Sequence, residues 1–269
     1  MGIALQDANN IPFKHPEGVT CSKSTIIVAD SGNGRLIRFS VVNEELKNAT
    51  EFRVAEVSYP ARAKATSMDR TLVLDGKTRR IARLGADGSF VGYLDYQGLP
   101  APAEVVPRSM VTDSKNNIYV LDILGERVVV VDAAGAFLRQ LPFPKEYGFL
   151  SDVAVDQNGN ILLLDSMKGQ VLRGAADKAD FQVLTSDLHS FMSSAVSMDL
   201  DNQGRIYLLD QNDGAVVVLG TDGSFQGRYL SFGWKGGQLN YPSQMCIMQD
   251  NSLVIADRDN NRIQLFKIQ

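Results

Sequence analysis

Hydrophobic and polar positions alternate in blocks that repeat along the whole chain. Short apolar runs ending in aspartate read IIVAD, TLVLD, IYVLD, ILLLD, IYLLD and LVIAD, and they end at Asp30, Asp75, Asp122, Asp165, Asp210 and Asp257. Successive aspartates lie 45, 47, 43, 45 and 47 residues apart. Such runs, rich in Ile, Val, Leu and Tyr, predict short buried strands. The pattern indicates six repeated units, and we call these six residues the anchor aspartates.

Each unit carries the signals of four strands. A second apolar run begins after a four-residue loop, as in RVVVVD at 127, and so short a loop joins two strands into a hairpin. Turn signals such as DSKNN at 113 separate an earlier strand from the anchor run, and DAAGAF at 132 introduces a later one. We therefore predict a four-stranded antiparallel meander in each unit, which is typical of a propeller blade.

Six such units predict an all-β fold, a six-bladed β-propeller that occupies residues 1–269 as one domain. A blade is apolar on both faces of its sheet, so neighbouring blades must pack around an axis to bury them. The last unit stops after its third strand, at RIQLFKIQ, and the spare strand-like segment is GIALQ at residues 2–6. We predict that residues 2–6 complete the last blade and so close the propeller without an exposed sheet edge.

The repeats resemble the NHL repeat, in which a strand ending in Asp is followed by a loop with Asn, an Arg and a hydrophobic strand. Residues 232–266 and 15–39 carry this pattern, with ADRDNNRIQLF and ADSGNGRLIRF as near copies. Gln170 and Ala215 replace the Arg in units four and five. The resemblance, to bacterial NHL-repeat proteins, implies the propeller fold. It leaves function open, because that family includes RNA-binding modules, sensor domains and lyases.

The repeated Asp and Arg have a structural interpretation. An Asp at a strand end accepts hydrogen bonds from its own loop, and an Arg five residues later can reach the carboxylate. We expect these pairs to be exposed, contributing about 0 to 1 kcal/mol each, so that they shape loops more than they hold the propeller together.

Cys21 and Cys246 fall on the predicted innermost strands of the first and last blades. Adjacent inner strands usually lie too far apart for the short distance between Cα atoms that a disulfide requires. We therefore expect two buried thiols.

The long connections between blades predict a loop-rich face. In an antiparallel meander, the loop between strands two and three emerges on the same side as the connection to the next blade. Aromatic and arginine side chains on loops above a rigid scaffold suit recognition of a partner, although filling gaps between blades is an alternative for each of them. The candidates for partner binding are Trp234, Tyr147, Phe149, Arg80, Arg108 and Tyr241.

The innermost strands should line a narrow, hydrated axial channel. Alignment by the anchors puts Arg62, Asp152 and Gln244 in one layer, and it places Lys64 opposite Asp199 in the next. We expect these charges to compensate one another, because a buried charge without a partner is costly.

Three function classes remain open. A non-enzymatic interaction or scaffold module, binding a protein, peptide or glycan on the loop-rich face, agrees best with the sequence. The first alternative is a metal-dependent hydrolase or lyase at the axial funnel, gluconolactonase-like or amidating-lyase-like, with Glu17, Asp152 and Asp199 as weak calcium ligands. Against it, the matching inner positions carry no Asn, and the chain has only His15 and His189 for a zinc site. We predict no cofactor, no catalytic residue and no bound metal.

The second alternative is an RNA-binding NHL module, which the net charge of -4 and the pI near 5.3 disfavour. No apolar run approaches the length of about 18 residues that a membrane helix needs, so we expect a soluble protein without a membrane span. A start that runs directly into the fold would suit an exported protein whose signal peptide has been removed, periplasmic or extracellular. The partner's identity and the oligomeric state stay open.

Overall fold

The computed structural model describes residues 2–66, 70–176, 178 and 180–268. These residues form six four-stranded antiparallel sheets, the blades, whose innermost strands contact one another around an axis. This confirms the predicted six-bladed propeller. Within the same residues, no helix has the length and apolar character to cross a membrane. Single turns of 3₁₀ helix occupy Ser31–Asn33, Leu188–Ser190 and Arg258–Asn260.

Strands follow one another from the axis outward in each of the first three blades. Blade one contains β2 (Gly18–Cys21), β3 (Thr25–Asp30), β4 (Arg35–Val42) and β5 (Glu45–Phe52). Blade two contains β6 (Pro60–Ala65), β7 (Thr71–Asp75), β8 (Ile81–Leu84) and β9 (Phe90–Tyr93). Blade three contains β10 (Pro107–Thr112), β11 (Ile118–Asp122), β12 (Arg127–Val131) and β13 (Phe137–Pro142).

Blades four and five repeat this order, and blade six takes its outermost strand from the start of the chain. Blade four contains β14 (Leu150–Val155), β15 (Ile161–Asp165), β16 (Gln170–Gly174) and β17 (Phe181–Thr185). Blade five contains β18 (Ala195–Leu200), β19 (Ile206–Asp210), β20 (Ala215–Leu219) and β21 (Phe225–Tyr229). Blade six contains β22 (Gln244–Ile247), β23 (Ser252–Asp257), β24 (Arg262–Lys267) and β1 (Gly2–Ala4).

The closure of the propeller follows the prediction, with a shorter strand. Gly2 pairs with Leu265 and Ala4 with Ile263, so β1 lies antiparallel to β24. The strand ends two residues before the predicted limit, because the chain turns at Asp7, whose carboxylate accepts the N–H groups of Asn9 and Ile11 at 2.8 and 2.9 Å. The first and last segments of the chain are therefore hydrogen-bonded neighbours.

Burial explains why the second strands read as unbroken apolar runs. In β11, β15 and β19 every residue is buried, because both faces of the sheet pack against neighbouring blades. Within the described residues, the buried side chains form six clusters, one at each junction between blades. Each large aliphatic side chain buried there contributes about 1.5 to 3 kcal/mol.

The anchor aspartates are all fully buried. The expectation that the Asp–Arg pairs are exposed is therefore wrong. Each carboxylate accepts a backbone N–H from the connection that leads into its blade. Asp75, for example, accepts from Ser58 at 2.7 Å and from Lys77 in its own loop at 2.7 Å. One side chain thus fixes both the loop after the second strand and the connection before the first.

The repeated Arg is also buried in three blades, because the connection folds over it. Arg35, Arg127 and Arg262 bond to their anchors at 2.6, 3.0 and 2.6 Å, with side chains at most 7% exposed. Arg35 also holds Asp7 at 2.6 Å and Glu51 at 2.7 Å. Blade two differs, since Arg80 is exposed and its guanidinium lies 3.4 Å above the ring centre of Tyr93.

The two cysteines form a disulfide, so the expectation of two buried thiols is wrong. The Cα atoms of Cys21 and Cys246 are 5.8 Å apart, within the range that a disulfide spans. The strands β2 and β22 are neighbouring inner strands at the axis, and Cys21 and Cys246 lie opposite each other across their junction. The sequence does not fix this separation, because it depends on how closely the first and last blades pack. The bond crosses the same junction that β1 closes, joining positions 225 residues apart in sequence.

The disulfide should contribute strongly to stability. Replacing both Cys21 and Cys246 with Ala should lower the free energy of unfolding by about 2 to 5 kcal/mol, because a long loop in the unfolded chain is released. Urea denaturation with and without reductant measures this, and reductant should leave the double variant unchanged. Two reactive thiols in the denatured, unreduced wild-type protein would contradict the bond.

Two arginines at equivalent positions should behave differently. Arg35→Gln leaves the carboxylates of Asp7 and Asp30 without their cation, so we expect a loss of roughly 3 to 5 kcal/mol in unfolding free energy. Arg80→Gln is the matched control and should cost no more than about 1 kcal/mol, since it removes an exposed cation–π contact. Equal shifts in urea midpoint for the two variants would show that burial of the Arg35 cluster does not matter.

The anchors should make stability depend on acid. Burial alone raises the pKa of Asp75, but the N–H donors of Thr78, Lys77 and Ser58 outweigh it and hold the pKa below its ordinary value. This stabilisation is present above the unfolded-state pKa of about 3.9 and is lost as pH falls through the lower folded-state value. The difference in unfolding free energy between wild type and Asp75→Asn should therefore narrow below about pH 4. A difference that stays constant in urea titrations across that range would refute this.

Candidate functional site

Trp234 is the most exposed aromatic residue among the predicted candidates. Its side chain is 70% exposed and meets Phe232 edge-to-face, with ring centres 5.5 Å apart. The backbone beneath is fixed, because the carbonyl of Trp234 accepts from Arg262 at 2.9 Å and that of Gly233 accepts from Asn260 at 2.9 Å. A rigid connection at residues 230–243 therefore presents an aromatic side chain to solvent. Tyr241, 41% exposed, lies on the same connection.

Phe149 and Arg108 come together where blades three and four meet. The guanidinium carbon of Arg108 lies 4.0 Å above the centre of the Phe149 ring, which is 41% exposed. The backbone N–H of Phe149 donates to the anchor Asp165 at 2.9 Å, so the main chain that carries the ring is fixed. Burial lowers the pKa of Arg108, and the nearby charges of Arg79 and Arg62 lower it further.

The remaining candidates, Tyr147 and Arg80, form contacts with other side chains of the protein. Tyr147 is half-buried, packs edge-to-face on Phe143 at 5.4 Å and donates its hydroxyl to Glu126 at 2.9 Å. Burial raises the pKa of Tyr147, and Glu126 adds to the effect. Arg80 is exposed but stacks on Tyr93. The structure thus gathers Arg108 with Phe149, and Trp234 with Tyr241, on separate connections of the loop-rich face.

Charged side chains face one another across the axial channel. The amine of Lys64 lies 3.8 Å from Asp199. The guanidinium of Arg62 lies 3.4 Å from Asp152 and donates to the carbonyl of Val196 at 3.1 Å. Arg62 therefore bridges blades two, four and five.

The channel side chains also satisfy backbone groups of the inner strands. Each inner strand has one edge without a strand partner, and a buried N–H there needs an acceptor. Asp152 accepts from Met198 at 2.8 Å, Asp199 from Ile247 at 2.9 Å and Gln244 from Val19 at 3.1 Å. In every case the acceptor belongs to the preceding blade. These polar residues therefore join neighbouring blades at the axis.

The weak metal candidates do not converge. Across the described ranges, no group of three or more His, Cys, Asp or Glu side chains is placed to hold a metal ion. Asp152 and Asp199 already accept backbone N–H groups and face cations. Glu17 accepts the hydroxyl of Tyr59 at 2.7 Å.

The sequence did not predict the contact between Glu17 and Tyr59 or that between His15 and Asp259. Burial, followed by the contact with Glu17, raises the pKa of Tyr59 to about 12. His15 lies on the same connection as Glu17, with Nδ1 3.5 Å from Asp259. These contacts join residues of different blades, so no local spacing in the sequence could have indicated them.

Comparison with known proteins identifies the repeat. The NHL repeat model matches residues 239–266, which cover β22, β23 and all but the last residue of β24 in blade six. No curated protein sequence matches the chain.

Solved structures with the same architecture are distant in sequence. A protein of unknown function from Bacteroides thetaiotaomicron is 14% identical with a TM-score of 0.75, over 100% of this chain and 74% of that one. A catalytically inactive variant of virginiamycin B lyase from Staphylococcus aureus, bound to quinupristin, is 14% identical with a TM-score of 0.66, over 99% and 88%. A chain of a nidogen/laminin complex is 17% identical with a TM-score of 0.66, over 81% of each.

At these identities the likeness extends to the fold alone. The NHL match lies in the blade that both ends of the chain build, and the other five blades repeat its strands and its buried aspartate. The chain is a six-bladed β-propeller whose last blade contains an NHL repeat.

Proposed function

We propose that this propeller is a non-enzymatic interaction module that binds a protein, peptide or glycan partner on its loop-rich face. The observation that carries the proposal is the exposure of Trp234 beside Phe232, on a backbone fixed by hydrogen bonds. Exposed aromatic side chains that are held rigidly are typical of the residues that dominate binding energy.

The rigidity of the connection supports this proposal. The N–H of Asn240 donates to the anchor Asp257 at 2.7 Å, and Arg262 donates to the carbonyls of Lys235 and Gln238 at 2.7 and 2.8 Å. A segment that is already ordered loses little conformational entropy when a partner binds. The connection at residues 230–243 is therefore suited to act as a preformed contact surface.

The hydrogen bonds of the channel side chains also favour a binding site on the surface over one in the channel. Asp152 and Asp199 serve the backbone of the next blade, so a ligand in the channel would compete with structural hydrogen bonds. A structural neighbour that lies in a nidogen/laminin complex agrees with a protein partner, although the likeness extends to fold alone.

A lyase working at the end of the channel is the second candidate. His15 and Asp259 form a pair beside Glu17 and Tyr59, and histidine with an orienting carboxylate is a common arrangement for proton transfer. A virginiamycin B lyase shares the fold. Incubation with quinupristin tests this candidate, because conversion seen by liquid chromatography with wild type and not with His15→Ala would favour it over the interaction module.

Selection of peptides tests the interaction module directly. A random phage-displayed peptide library is selected on the immobilised protein, and enriched peptides are measured by fluorescence anisotropy. We expect Trp234→Ala to weaken binding at least about tenfold, because a central aromatic contact is worth 1.4 kcal/mol or more.

Val183, on the outermost strand of blade four, provides a matched control. It is 56% exposed and lies away from the connection that carries Trp234. Val183→Ala should leave peptide affinity unchanged. Peptides that bind the Trp234 and Val183 variants equally, or a library that yields none, would overturn the proposed surface.

A further inference from the structure

Arg108 occupies a special position at the start of an inner strand. The pairing of β10 with β11 shifts between Pro107 and Ser109, so Arg108 is an extra residue in a β-bulge. The same shift occurs in β6, β14 and β18, where the extra residues are Ala61, Ser151 and Val196. Among these four bulges of the described chain, that of β10 alone carries a charge. A bulge re-aims its side chain, here towards the end of the channel on the loop-rich face.

The guanidinium of Arg108 has free donors. Within the described part of the chain, it forms no ion pair, and its contact is the face of the Phe149 ring at 4.0 Å. A guanidinium stacked on an aromatic face keeps its N–H edge available, and that edge matches the two oxygens of a carboxylate. Phe149 therefore orients the cation without neutralising it.

Positive charge accumulates around this group. Arg79 and Arg62 are the charges that act on Arg108 most strongly, and both are cations. Arg62 forms an ion pair with Asp152. Arg79 is exposed, and its backbone N–H donates to the carbonyl of Asp75 at 2.9 Å. On the opposite side of the channel the charges are paired, as Arg258 holds Asp259 at 2.9 Å. The positive charge around Arg108 therefore comes from blades two and three.

We propose that Arg108 and Phe149 form an anion subsite, beside the positive charge of Arg79, that binds a carboxylate side chain of an acidic peptide segment in the partner. This rests on the proposed function and specifies the partner's chemistry. The guanidinium of Arg108 offers paired donors to the carboxylate, the charge of Arg79 adds attraction, and the exposed part of Phe149 offers an apolar contact to the residue beside it. The net charge of -4 opposes long polyanions, so a short acidic segment fits better than RNA or a sulfated glycan.

A pair of peptides tests the subsite. One short fluorescein-labelled peptide repeats Asp-Asp-Phe among Gly and Ser, and its counterpart has Asn in place of each Asp. At about 0.05 M salt, where screening is weak, the acidic peptide should bind at least tenfold more tightly by anisotropy, and the difference should shrink at about 0.5 M salt. Arg108→Gln and Arg79→Gln should each weaken the acidic peptide about five- to tenfold.

Arg139→Gln is the matched control, because Arg139 lies on the outermost strand of the same blade as Arg108. Its affinity for the acidic peptide should equal that of wild type. Unfolding midpoints show that each variant is folded. Equal affinity for the Asp and Asn peptides, or unchanged affinity after Arg108→Gln, would overturn the subsite. Binding of heparin or mixed-sequence RNA that depends on Arg108, without binding of the acidic peptide, would overturn the assignment to a peptide.

The two proposals fail in different ways. If selected peptides depend on Trp234 and are indifferent to Arg108→Gln and to salt, the interaction surface stands and the subsite falls. If neither the selected peptides nor the acidic peptide depends on any loop-rich face residue, both fall.

Discussion

The buried carboxylate at the end of each second strand is the interaction on which the rest of the structure depends. It accepts N–H groups from the connection that enters its blade, and in every blade it is removed from solvent. A buried carboxylate is tolerable only when hydrogen bonds replace the water it has lost. The loops must therefore fold around the carboxylate. Because these loops form the loop-rich face, that face is rigid.

The side chain that pairs with this carboxylate differs between blades. Blades one, three and six pair it with a buried Arg, whereas Gln170 and Ala215 stand at that position in blades four and five. In blade two, the donors to Asp75 among the described residues are backbone N–H groups, and Arg80 lies at the surface. The aspartate is thus the constant element. In blades four and five, where no Arg holds the connection, Gln170 and Ala215 occupy the position five residues after the aspartate.

The sequence predicts the fold well because the period of the apolar runs and the spacing of the turns are local signals. The closing strand followed from counting strands in the last unit. The disulfide and the burial of the Asp–Arg pairs were mispredicted, because both depend on how closely neighbouring blades approach. The same limit applies to the site. Trp234 and Tyr147 look alike on their loops, and only packing shows that one is exposed and the other holds Glu126. Arg108 and Phe149 meet across a junction that no sequence pattern marks.

The pairing of β1 with β24 has a consequence for biosynthesis. Strand β1 precedes blade one in the chain but pairs with β24, so blade six cannot be completed until the five blades between them have been synthesised. Until then the apolar faces of blades one and five that will cover blade six have no neighbour. Contacts between residues far apart in sequence form slowly, so these apolar surfaces stay exposed during folding. Exposed apolar surfaces of this kind are prone to associate with other nascent chains.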